Sequence, residues 1–162
     1  IVISDFGISI EKKYLECDDI PYQVQTVFYR APEIYLRTPY NESIDIWSLG
    51  CIAYEIYWKR PLFTKKVPAE LFIEQNVILK PPSYDFLVMN PVVNIMYDDI
   101  EDPSYMILNE IKIPLLSNYL NNAHNKNMYI INFVKKCCTW KPSERITPYE
   151  SIKYLKNVQK KF

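Results

Sequence analysis

The stretch Ser43-Ile44-Asp45-Ile46-Trp47-Ser48-Leu49-Gly50-Cys51-Ile52-Ala53-Tyr54-Glu55-Ile56-Tyr57 decides the fold. Asn41 or Ser43 can accept from the free N–H groups of a first helical turn, and no proline interrupts the run beyond it. Its apolar side chains fall on nearly every face: Ile44, Ile46, Trp47, Leu49, Cys51, Ile52, Ala53, Tyr54, Ile56 and Tyr57. A helix that is apolar all round belongs in the middle of a core, with other elements packed on several sides. A central helix is therefore expected over residues 43–58. Asp45 is expected to need partners there, because an unpaired buried charge is costly.

Working outward, Ala31 to Leu36 reads as a short helix with Pro32 at its start. Pro68 opens a further helix with Leu71, Phe72, Gln75, Ile78 and Leu79 on one stripe, ending at Pro81-Pro82. Residues 82–127 are rich in Asn, Asp, Pro and Tyr and read as a large insert with one or two short helices. Met128 to Cys138 is helical by period, with Ile130, Phe133, Val134 and Cys137 on one face. Thr147-Pro148-Tyr149-Glu150 is a capping box with proline at the first helical position, ahead of Ile152 and Leu155. From Glu11 to Gln25 the chain is polar and without period, which reads as a loop. Val2-Ile3 is fit for a buried strand end. The fold is expected to be mainly α, a helical bundle around one buried helix, with little strand near the N-terminus.

Composition bounds the function classes. The 162 residues suit one domain, 49% hydrophobic and 23% charged, too apolar for a disordered chain. Lys plus Arg equals Asp plus Glu at 19 each, so no global field draws the chain to nucleic acid or an acidic membrane surface. Charges interrupt every apolar run well short of a membrane span. The N-terminus has no signal-peptide pattern, and it starts at Ile1 rather than Met, in keeping with a piece of a longer chain. Cys17, Cys51, Cys137 and Cys138 form no C-x-x-C pair, and His124 sits in a polar run, so a zinc site has little support. Free thiols imply an intracellular chain, cytoplasmic or nuclear. Only two glycines occur, Gly7 and Gly50. A chain this poor in glycine is expected to keep it where backbone or packing leaves no alternative.

Both glycines fall in motifs. Asp5-Phe6-Gly7 comes after an apolar run; Thr26-Val27-Phe28-Tyr29-Arg30 precedes Ala31-Pro32-Glu33; Asp45-Ile46-Trp47-Ser48-Leu49-Gly50-Cys51 lies on the central helix; Trp140-Lys141-Pro142 and Arg145 come last. A tripeptide alone is weak, but this ordered set resembles the protein kinase family, in which DFG and APE motifs bracket the activation segment, here residues 5–33. The resemblance covers nearly the whole chain apart from the insert. It implies the C-terminal lobe of a kinase domain over residues 1–162, without the N-terminal lobe. The run Tyr29-Arg30-Ala31-Pro32-Glu33 is similar to the group of cyclin-dependent, mitogen-activated and dual-specificity-related kinases.

The resemblance implies a role for each matching residue. Asp5 would hold Mg²⁺ at the phosphates of ATP; Phe6 would pack inward; Gly7 would permit the backbone turn. Thr26, Tyr29 and Arg30 would face the substrate, with Thr26 pointing to serine/threonine specificity and Arg30 shaping a pocket for proline after the acceptor. Glu33 and Arg145 would pair to pin the activation segment. Asp45, Trp47 and Gly50 would be structural, with Asp45 accepting from the catalytic loop. Asp18 and Asp19 read as a solvated loop, and Tyr22 is out of register with the family's phosphorylated positions.

The family's H-R-D loop with its downstream Asn, its glycine-rich loop, its ATP-pairing Lys and the partner Glu are expected upstream of residue 1. No catalytic residue is therefore assigned within this chain. The chain alone is expected not to complete a phosphoryl-transfer site. The expected partners are protein substrates and an activating subunit or upstream kinase. The alternative, from a different class, is a non-catalytic kinase piece acting as a binding or inhibitory module for another kinase.

Overall fold

A computed structural model describes residues 2, 4–11, 23–83, 86 and 125–160. Among these the architecture is helical. Helix α1 is Pro32–Tyr35, α2 Ser43–Trp58, α3 Pro68–Leu79, α4 Asn125–Cys137 and α5 Pro148–Gln159, with 3₁₀ turns at Val27–Tyr29 and Pro142–Glu144. Most of the insert expected at 82–127 lies outside the described residues, as do Cys17, Asp18, Asp19, Tyr22 and His124. No strand occurs among the described residues. Val2, expected at a strand end, is in irregular backbone and exposed. A strand needs a hydrogen-bonding neighbour, and among the described residues none lies beside it.

Helix α2 packs chiefly on α4. Gly50 sets how closely they approach: a Cβ placed there would lie 2.6 Å from Cys137 Cβ and 2.7 Å from Cys138 Sγ. Trp47 is fully buried, stacked 5.9 Å from Phe63 and tilted 6.4 Å from Trp140, and Phe72 meets Trp140 edge-on at 5.6 Å. The core thus runs from α1 (Ile34) through Trp47, Phe63 and Leu71 to Ile131 and Val134 on α4.

Helix ends obey local chemistry. The Asn41 side chain accepts from Ser43 N–H at 2.9 Å, while the cap position itself is Glu42 without a side-chain bond. Helix α2 stops at Lys59, whose left-handed backbone (φ 59°) lets its N–H donate to Glu55 O. Helix α3 stops at Lys80 before Pro81, where the α conformation is disfavoured. The Thr147–Glu150 capping box is complete in both directions.

One expectation about faces fails. Helix α2 buries Ile46, Trp47, Gly50, Cys51 and Tyr54 but leaves Asp45, Leu49, Ile52 and Ile56 exposed, a row at spacings of four, three and four residues. It is covered on one side by the described elements, not all round. Helix α5 turns Ser151 and Tyr154 inward, with Tyr154 stacked on Phe133 at 5.8 Å and donating to Tyr129 O. Ile152 and Leu155 face outward. Among the described residues no helix is long and apolar enough to cross a membrane.

Candidate functional site

The segment from Gln23 to Glu33 crosses the first turns of α2, and hydrogen bonds fix it there. Gln25 has a left-handed backbone, φ 61°. Its side chain spans three anchors: Nε2 donates to Ile44 O and to Ser48 Oγ, both at 2.8 Å, and Oε1 accepts from Ala31 N–H at 2.9 Å. Its carbonyl faces Arg30, which donates to it from Nη2 at 2.8 Å and Nε at 3.3 Å, and from Nε to Val24 O at 3.1 Å. Ser48 Oγ also donates to Tyr29 O at 2.9 Å. Arg30 is therefore committed to backbone carbonyls and is not a loose surface cation.

Thr26 is exposed at the head of the 3₁₀ turn, its carbonyl accepting from Tyr29 N–H at 2.9 Å. Tyr29 donates its hydroxyl to Glu55 Oε2 at 2.7 Å; that bond, and desolvation after it, raise the phenol above its usual pKa. Tyr35, buried, donates to Gln75 Oε1 at 2.7 Å, and burial pushes its phenol well up. Glu74, also buried, accepts from Thr64 N–H, Thr64 Oγ1 and Lys65 N–H, which shapes the turn leading into α3.

Glu33 and Arg145 stand 112 residues apart in sequence and form a buried bidentate pair, Arg145 Nη1 to Oε1 and Nη2 to Oε2 at 2.7 Å. They are 2% and 5% exposed. Arg145 also donates to Thr139 O, Ser43 O and Trp140 O, and its guanidinium lies 5.1 Å over the Trp47 ring. Segment 24–33, α2 and the loop after α4 are thus tied at one charged centre, with the remaining guanidinium donors satisfied.

Asp5, Phe6 and Gly7 are exposed, whereas Glu33 and Arg145 are buried. The left-handed residue of that exposed triplet is Asp5 (φ 64°), just before the turn at Gly7 that Ser9 N–H closes on Phe6 O, and not Gly7 itself. Aspartate tolerates that conformation because its short side chain can bond locally. A Cβ on Gly7 would make an ordinary 3.4 Å contact with Asp5 Oδ1, so room does not demand glycine here. Phe6, expected to pack inward, is 68% exposed, because none of the described elements lays an apolar surface over it. Asp45 is likewise exposed rather than enclosed, though partial desolvation raises its carboxyl above the usual range.

No group of three or more His, Cys, Asp or Glu side chains able to hold a metal occurs among the described residues. Asp5 nevertheless fits one role. Mg²⁺ is held by one or two carboxylates with substrate phosphates and water completing its shell, and an open, solvent-facing carboxylate is what that needs.

Sequence alone places Gln25 at the end of a loop and Gln75 on the apolar stripe of α3, and it gives Ser48 and Glu74 no role of their own. Nothing in the periodicity marks these residues, since their partners come from other elements.

Comparison with known proteins agrees with the helical fold. The family model described as protein kinase domain matches residues 1–156. Dual specificity tyrosine-phosphorylation-regulated kinase 2 of Drosophila melanogaster is 33% identical over 159 residues, 93% of this chain and 21% of that protein. The sporulation-specific mitogen-activated protein kinase SMK1 of Saccharomyces cerevisiae is 28% identical over 170 residues, 98% of this chain and 42% of that protein. The chain thus spans less than half the length of these relatives. Among solved structures, a MAP kinase of Leishmania major superposes with a TM-score of 0.61 at 18% identity, covering 80% of this chain and 40% of that one. The chain belongs to the protein kinase domain family, carries the helical C-terminal lobe of that fold, and has kinases of the dual-specificity-related and mitogen-activated groups among its relatives.

Proposed function

We propose that the protein containing this chain is a serine/threonine kinase that phosphorylates hydroxyls followed by proline, and that residues 23–33 form the surface receiving that proline. One observation carries the reading: the Gln25 carbonyl, on left-handed backbone, is already taken by Arg30. A peptide lying extended along this segment pairs through main-chain groups. A residue whose N–H found that acceptor occupied would lose about 1–3 kcal/mol for a buried unpaired donor. Proline has no N–H to leave unpaired.

Mg²⁺-ATP, when bound, supplies the phosphoryl group, with the metal neutralising charge as it develops. Asp5 would hold the metal through its carboxylate. Glu33 and Arg145 hold the substrate-facing segment on α2, and Tyr29, anchored to Glu55, fixes the 3₁₀ turn beneath Thr26.

The test is phosphorylation of matched Ser-Pro and Ser-Ala peptides by the full-length protein with Mg²⁺-ATP. Phosphoserine on the Ser-Pro peptide, with kcat in Asp5→Asn lowered by roughly 10²–10³ or more, is the expected result; losses of that order accompany removal of one electrostatic contact to a transition state. Equal rates on the two peptides would overturn the proline reading, and a near-normal kcat in Asp5→Asn would remove Asp5 from the metal. The 162-residue chain by itself is expected to show no turnover and no ATP affinity, a result that micromolar binding in calorimetry would reverse.

A second reading, a non-catalytic module that binds another kinase, is favoured by the exposed apolar row on α2. Full-length protein that forms a stable complex with a kinase while failing to bind ATP would establish it.

A further inference from the structure

Left-handed backbone is unfavourable for a residue with a Cβ, and glycine would adopt it freely. Position 25 nevertheless carries glutamine at φ 61°. Its two amide hydrogens go to Ile44 O and Ser48 Oγ, in the first two turns of α2, and its oxygen takes the Ala31 N–H at the head of α1. Both amide atoms of that side chain are thereby engaged, across 6 to 23 residues of sequence. Glycine there would relax the backbone but leave the Ala31 donor without this acceptor and free the peptide plane to turn. The peptide plane matters because its carbonyl is the group that Arg30 holds.

We propose that the Gln25 side chain is a positioning residue for substrate selection: it latches the left-handed peptide to α2, keeps the carbonyl on Arg30, and so enforces discrimination at the residue after the acceptor. This role rests on the kinase reading above. The latch acts through Arg30 and touches no substrate. It separates two jobs at one position, with the backbone presenting the carbonyl and the side chain preventing its return toward the peptide.

The experiment compares kcat/KM on Ser-Pro and Ser-Ala peptides for the full-length protein and its Gln25→Ala, Gln25→Gly and Ser48→Ala variants, alongside hydrogen exchange at the Ala31 amide. Gln25→Ala and Gln25→Gly should lower the Ser-Pro over Ser-Ala ratio about tenfold, a change of ~1.4 kcal/mol. Most of that change should come from better use of Ser-Ala, with faster exchange at Ala31. Ser48→Ala, which removes one anchor and leaves residue 25 in place, should give a smaller fall in the same ratio; it keeps the test decisive if the Gln25 variants fold poorly. A wild type that prefers proline while all three variants keep its ratio overturns the latch and leaves the kinase reading standing. Full selectivity in Gln25→Gly alone also overturns it, since backbone conformation would then suffice. A wild type with no proline preference overturns both.

Discussion

The Glu33–Arg145 pair shows how one residue can carry several elements. Its charges sit almost wholly out of water, so each depends on the other and on the carbonyls around the guanidinium. Replacing both by well-packed apolar groups can be nearly neutral, whereas removing one strands the other. Arg145→Met is therefore expected to cost about 3–5 kcal/mol, read as a lower urea midpoint at unchanged slope, with the double replacement costing less. A loss under about 1 kcal/mol in Arg145→Met, well below that range, would mean water reaches Glu33. Gly50 is the second such position. Gly50→Ala would push a methyl against Cys137 Cβ, which is fixed to the backbone, and against the buried Cys138 Sγ. The expected penalty is about 1–3 kcal/mol from overpacking, and an unchanged melt would show that α2 and α4 separate freely.

At the scale of the element, α2 has two unlike sides. Its buried side is satisfied by α4, the 3₁₀ turns at Val27–Tyr29 and Pro142–Glu144 and the Arg145 centre, while Asp45, Leu49, Ile52 and Ile56 form the open side. Asp45 sits in the first helical turn, where the dipole favours its charge. Desolvation disfavours that charge and prevails in direction, since the carboxyl pKa is raised. A group whose folded pKa lies above its unfolded value stabilises fully below the unfolded value, about 3.9 for Asp, and loses that contribution as pH rises through the folded value. Denaturant melts of the chain from about pH 3.5 upward, a range set around that ~3.9 reference, should thus show Asp45→Asn losing less stability with rising pH than wild type. Identical slopes would mean that Asp45 titrates alike in both states.

For the molecule as a whole, the core closes over three thiols. Cys51, Cys137 and Cys138 are free and buried where α2 meets α4. Burial pushes the Cys137 thiol up and Cys138 well up, with a hydrogen bond to Cys51 adding to the latter. The thiolate is the reactive form, so both burial and raised pKa slow alkylation. Peptide mapping after iodoacetamide should find these three unlabelled in native protein and labelled along the global urea transition. Rapid labelling before that transition would show that α4 opens on its own.

The elements themselves were legible in sequence because their signals are local: proline at the first turn of α1, α3 and α5, the Thr147–Glu150 box, and the unbroken apolar run of α2, whose observed span Ser43–Trp58 coincides with the expected 43–58. The ordered motifs likewise pointed to the family without any coordinate. Tertiary structure alone decided which faces are covered, since periodicity reports that a side chain is apolar but not whether anything lies over it. Leu49, Ile52 and Phe6 are therefore exposed against expectation. The site divides in the same way. Glu33 and Arg145 could be named from their motifs, but the part played by Gln25 depends on Ile44 O, Ser48 Oγ and Ala31 N–H converging on one side chain. Two of those partners are backbone atoms, which every residue type but proline carries alike, so only the folded path of the chain brings them into reach.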